Sequence, residues 1–175
     1  MTSYPPAQCC TVGFRHEGAL QGKAIRITGG KHEAYLATPP PDKAKKFAIL
    51  FLPDIMGIWK NSRLLSDEFA SNGYLTLLLD TFNGDPLPVR AVVNDEVDIF
   101  KWLAGGSTGD NPHNEPAVDP IVLDAIKFLR EEYGVKKLGA VGYCFGAKYL
   151  VRHWKWAKEQ AFYQAIVWFD EHLRE

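Results

Sequence analysis

In this 175-residue sequence the string Gly142-Tyr143-Cys144-Phe145-Gly146 has the residue types and spacing for covalent chemistry. It follows an apolar run, Leu138 to Gly142, and precedes a segment of helical character from about Ala147. A nucleophile on such a strand-to-helix turn sits in strained backbone angles, and flanking glycines let the turn close. Its side chain then stands clear of the sheet, at the positive end of the next helix, where thiolate is favoured over thiol. The N–H of Phe145 points to where an attacked carbonyl oxygen would become an oxyanion. Cys144 is therefore a candidate acyl nucleophile. A buried cysteine with only a packing role is the alternative that the string leaves open.

A cysteine nucleophile of this kind needs a histidine base oriented by an acid. His153 lies nine residues past Cys144, about 13 Å along a helix at 1.5 Å per residue, which makes it a poor base. Asp170 and His172 are two apart in a helical stretch and project to different sides, so they form no acid–base pair. His113 falls in the polar segment Gly105 to Pro116, from which it could approach a site, and His16 and His32 are expected at the surface. No histidine is nominated. Adjacent Cys9 and Cys10 could bind a metal or form a redox pair, but no nearby His or further Cys completes a ligand set. They are read as small residues of an N-terminal arm, and no metal or organic cofactor is expected.

The elements that must position Cys144 can be read in order. Lys23 to Thr28 and Glu33 to Thr38 are β-like runs joined by Gly29-Gly30, which suits a hairpin. Phe47 to Leu52 is continuously apolar and short, as in a strand covered on both faces. Asn61 or Ser62 can cap a helix carrying Leu64, Leu65 and Phe69, with Asn72-Gly73 at its end, and Tyr74 to Leu79 is a second apolar strand. Strand, helix and strand form a crossover unit. Asp80 to Pro88 reads as a loop, Asp95 to Leu103 as a helix, and Asp119-Pro120 as the start of another helix that Gly134 closes. Leu138 to Gly142 is the third parallel strand. The alternation is α/β, with residues 1–22 as an arm and 23–175 as one domain.

Composition narrows the class. Lys plus Arg (20) and Asp plus Glu (21) nearly cancel, and neither sign forms a long block. That argues against a nucleic-acid or membrane-surface binder, which would need a basic face. No apolar run approaches the ~20 residues of a membrane span. The N-terminus lacks the basic and apolar segments of a secretory signal. An odd count of three cysteines fits a reducing compartment, so the expected location is cytoplasmic.

Gly139-Ala140-Val141-Gly142-Tyr143-Cys144-Phe145-Gly146-Ala147-Lys148-Tyr149 resembles the nucleophile segment of the dienelactone hydrolase family, particularly its fungal members. Cys9-Cys10 through His16-Glu17-Gly18, Leu52-Pro53-Asp54-Ile55-Met56-Gly57 and Asp80-Thr81-Phe82-Asn83-Gly84-Asp85 match in the same order. The resemblance implies an α/β-hydrolase fold, with a mainly parallel sheet, an N-terminal β-hairpin and flanking helices. It also implies hydrolysis of a lactone or carboxylic ester by attack of Cys144. Asp54 holds the place of an acidic residue that assists the nucleophile, although bacterial members carry glutamate there; a strand-end aspartate that caps its loop is the other reading. Ile55 takes the place of the second oxyanion donor, beside Phe145. The family's acid and histidine lie on units after later strands, and the residues after Cys144 hold no convincing strand. Lys155 to Leu173 resembles the family's final helix. The fold is accordingly expected to be truncated after about residue 150, and low stability is expected with it. The third strand would then have a bare edge, for the final helix or a second copy in a homodimer to cover. The competing expectations are a small-molecule hydrolase, a catalytically impaired relative that binds a small molecule or a partner, and a protein whose Cys144 serves thiol chemistry alone.

Overall fold

A computed structural model of the chain describes residues 16–94 and 96–153, together with Val167 and Glu171. Cys9 and Cys10, most of the N-terminal arm, and Asp170, His172 and nearly all of the expected final helix lie outside the described residues.

The two β-like runs form β1 (Lys23–Ile27) and β2 (His32–Ala37), an antiparallel hairpin whose turn places Thr28, Gly29 and Gly30 at positive φ. The apolar runs form β3 (Phe47–Leu52) and β4 (Leu75–Leu79), parallel to each other and connected by α1 (Lys60–Ser71). Helices α2 (Val89–Val93), α3 (Ile99–Gly105) and α4 (Glu115–Glu132) follow. Strand β5 (Lys137–Gly142) then pairs parallel with β3 and leads into α5 (Phe145–His153). The five strands lie in the order β1-β2-β4-β3-β5.

Alternation along the strands divides the core between the two faces of the sheet. Leu50, Leu52, Leu77 and Leu79 pack with Val118, Ile121, Val122, Ala125 and Leu129 of α4 and with Tyr149 of α5. Phe51 and Leu78 point to the opposite face and meet Ala70, Leu65 and Phe69 of α1. The hairpin is pinned to α1 by buried Asp67, which accepts from Tyr35 Oη at 2.9 Å and from the backbone N–H groups of Gln21 and Gly22, also at 2.9 Å.

The α/β sheet with its N-terminal hairpin and flanking helices is as expected, and β2 pairs antiparallel with β4 as well as with β1, which makes the sheet a mixed one. Three finer expectations change. The helix expected from Asp95 starts later, at Ile99: Asp98 caps α3 by accepting from Lys101 N–H at 3.0 Å, and α2 is a separate short helix before the expected segment. Helix α4 begins before Asp119-Pro120: Asn114 is its cap and Pro116 lies in its first turn. Both sites carry the same polar-then-proline signal, but only the earlier start brings Val118 onto the buried stripe, where it is fully covered. Asn61 does not cap α1; its side chain accepts from His16 N–H instead, at 2.9 Å. Among the described residues β5 has no partner strand on its outer side, and no helix is long and apolar enough to cross a membrane.

Candidate active site

Cys144 follows Tyr143 in the two-residue link between β5 and α5 and has φ 48°, a left-handed conformation that non-glycine residues adopt at a cost. Its side chain is exposed. The turn is stitched to the end of β3: Tyr143 N–H donates to Leu52 O at 3.1 Å, and Gly146 N–H to Pro53 O at 3.0 Å. Both glycines are required for close approach. A Cβ on Gly142 would lie 2.7 Å from Gly146 O, and one on Gly146 would overlap the Leu52 carbonyl oxygen. The neighbours anchor to opposite faces of the sheet. The Tyr143 ring lies 5.1 Å from Phe51, whereas Phe145 lies 4.8 Å from Phe82 and 5.0 Å from Tyr149. Two docked aromatics hold the turn while the thiol between them stays open.

Asp54 reaches the same edge by the same count. Leu52 pairs with Gly142 at the ends of adjacent parallel strands, and Asp54 and Cys144 each lie two residues beyond those ends; paired strands are spaced ~4.8 Å apart. The Asp54 carboxylate accepts from Met56 N–H at 2.9 Å, so it does cap its loop, and it is half-buried. Burial pushes its carboxyl above the usual range, against the opposing pull of the Met56 N–H and the Trp59 indole. That indole N–H is itself buried and closes no hydrogen bond of ordinary geometry. A raised value means that the folded chain binds this proton more tightly than the unfolded one. Stability is then lost as pH rises from the ordinary carboxylate value through the raised one. Asp54→Asn should therefore be more stable than wild type at neutral pH and lose that advantage in strong acid. Urea unfolding at the two pH values checks this, and an equal or less stable variant at neutral pH would contradict it.

The remaining loops converge on this edge. Buried Asp80 accepts from Phe82 N–H at 2.9 Å and Gly84 N–H at 2.6 Å, which shapes the turn after β4. Leu87 N–H donates to Ile55 O at 2.9 Å and ties that turn to the segment after β3. The side chains of Ile55 and Phe145 pack on one cluster, Phe82, Leu87 and Trp102. Among the described residues, neither Ile55 nor Phe145 donates its backbone N–H to a protein acceptor.

The four described histidines are engaged away from the thiol. His113, expected in an open polar segment, has a side chain only 1% exposed and bonds Asp85 Oδ2 through Nε2 at 3.1 Å. Burial pushes the His113 imidazole below its usual value despite Asp85. His32, expected at the surface, is buried against α4, with Nε2 3.2 Å from Asp124. His153 joins Arg152 on Asp119, and half-buried His16 lies 3.3 Å from Glu68. The His113–Asp85 pair escaped sequence reasoning because its members are 28 residues apart with no motif to link them. No group of three or more His, Cys, Asp or Glu side chains suited to a metal ion occurs among the described residues.

Comparison with known proteins gives this geometry a context. The model of the dienelactone hydrolase family matches residues 32–173. The chain is 44% identical over 154 residues to Hydrolase pyvD of Aspergillus violaceofuscus, a match covering 87% of this chain and 58% of that protein. It is 40% identical over 155 residues to Hydrolase tropI of Talaromyces stipitatus, covering 87% and 59%. It is 34% identical over 152 residues to Dienlactone hydrolase 2 of Gibberella moniliformis, covering 83% and 61%. The chain thus spans about six tenths of the length of these relatives. Among solved structures, the one named m3DLH superposes with a TM-score of 0.53 at 22% identity, over 74% of this chain and 51% of that one. At that identity the likeness concerns the fold.

Proposed function

Because the chain belongs to the dienelactone hydrolase family, we propose that it cleaves a small lactone or carboxylic ester, with Cys144 as nucleophile. The observation that carries this reading is the left-handed backbone of Cys144, on a glycine-flanked turn that leaves its thiol exposed at the carboxyl edge of the sheet. In the proposed step the Cys144 thiolate attacks the ester carbonyl carbon and the carbonyl π electrons move to oxygen. The N–H groups of Ile55 and Phe145 receive that oxyanion; such donors are typically worth ~3 kcal/mol each. Collapse expels the alkoxide and leaves a thioester on Cys144, which water then hydrolyses. Asp54 assists removal of the thiol proton. The ligand in this reading is a small molecule rather than a nucleic acid or a membrane, and the setting is cytoplasmic.

A second reading has its own support. Among the described residues no histidine hydrogen-bonds Cys144, and each is committed to a carboxylate elsewhere. Such a chain would acylate and then stall, leaving a catalytically impaired relative that binds a small molecule or a partner. Incubation with 4-nitrophenyl acetate separates these outcomes. Release of many nitrophenolates per chain, lost in Cys144→Ala, supports the hydrolase. A single equivalent, with an acetyl group found on Cys144 by mass spectrometry, supports the stalled relative. An unacylated Cys144 without turnover sinks the nucleophile assignment.

A further inference from the structure

We propose that His113, held by Asp85, is a positioning residue for the nucleophile turn, because it braces the aromatic cluster on which Ile55 and Phe145 both rest. The inference builds on the Cys144 reading above. Ile55 follows β3 and Phe145 follows β5, so no single loop can align their N–H groups. Their side chains nevertheless share one support, the Phe82–Leu87–Trp102 cluster.

His113 closes that cluster from behind. Its ring lies 4.3 Å from Trp102 and meets Phe82 edge-on at 5.3 Å. Asp85 fixes the ring: the Oδ2 that receives His113 Nε2 also accepts from Ser107 N–H at 2.8 Å, while the Asp85 carbonyl accepts from Trp102 Nε1 at 3.1 Å. The His113 backbone binds two helices, α3 and α5. Its N–H donates to Leu103 O of α3 at 3.0 Å, and its carbonyl accepts from Tyr149 Oη of α5 at 3.5 Å. One residue therefore joins the loop after β4, α3 and the helix that follows the nucleophile.

The imidazole meets two demands at once. It supplies an aromatic face to Trp102 and Phe82 and a donor to a carboxylate that is otherwise partly buried. Burial opposes ionisation of Asp85, yet Ser107 and His113 together hold its carboxyl below the usual range. Leucine would keep bulk but lose the donor, whereas glutamine would keep a donor. Loss of the brace would let the cluster shift, and misplacement of ~1 Å can cost on the order of a hundredfold in rate.

The test compares His113→Leu, His113→Gln and wild type in two measurements: 4-nitrophenyl acetate hydrolysis and iodoacetamide alkylation of Cys144 from neutral to alkaline pH. In His113→Leu, kcat should fall about tenfold or more while KM changes little, and the alkylation profile should move along the pH axis. His113→Gln should recover most of both. A folded His113→Leu with kcat and alkylation profile unchanged overturns the proposal, as does an identical loss in the two variants. If wild type shows no turnover, the hydrolase reading fails but the alkylation profiles still decide the positioning role. If His113→Leu does not fold, Asp85→Asn is read in the same way, and an unmoved profile there counts against the proposal.

Discussion

Gly146→Ala should cost the fold on the order of 3 kcal/mol or more and displace the nucleophile turn. Gly146 lies where α5 meets the end of β3, and a methyl group there would overlap the Leu52 carbonyl oxygen and approach the Leu52 Cβ to 2.8 Å. The obstructing atoms are backbone and the first atom of a buried side chain, so no distal rotamer change can relieve the contact. Helix α5 must lift, which lengthens the bond from Gly146 N–H to Pro53 O. Gly139→Ala is the control: its nearest neighbour would be Ala48 O at 3.8 Å, and an effect within about 0.5 kcal/mol is expected. Urea unfolding midpoints with unchanged m-values make the comparison. Equal stability of the two variants would mean that α5 does not seat on β3 as described.

Cys144→Gly should abolish Cys144-dependent turnover and raise stability by up to about 1 kcal/mol. The gain follows from φ 48° at a residue with a Cβ; glycine adopts that conformation freely, less its own larger entropy loss on folding. Cys144→Ala separates the two effects, because it removes the thiol but keeps the Cβ and its strain. The expected stability order is Gly above Ala, with both inactive in ester hydrolysis. Turnover that survives in either variant would remove Cys144 from the mechanism. Alanine and glycine variants of equal stability would show that the turn stores no strain.

Much of the scaffold was legible in the sequence because it is written in local signals. Phe47–Leu52 and the hairpin around Gly29-Gly30 formed where apolar runs and glycines placed them. Other features misled because the same signal occurs twice. Asn114 with Pro116, and Asp119 with Pro120, both announce a helix start, and burial of Val118 selects the first. Asp119 is left to receive Arg152 and His153 from α5. His32 looked like a surface residue, yet it is first in β2 and its side chain points to the face that α4 covers.

A strained turn at Cys144 was legible in the sequence by itself, since a Gly-x-Cys-x-Gly string between an apolar strand and a helical segment is the local pattern of a nucleophile turn, and the observed φ of 48° agrees with it. What surrounds the turn was decided only by the tertiary structure. The antiparallel pairing of β2 with β4, the shared cluster beneath Ile55 and Phe145, and the contact of His113 with Asp85 all join residues far apart in the chain. Local spacing fixes backbone angles. Which distant side chains meet depends on how whole faces pack against one another, and no short window of the sequence contains that information.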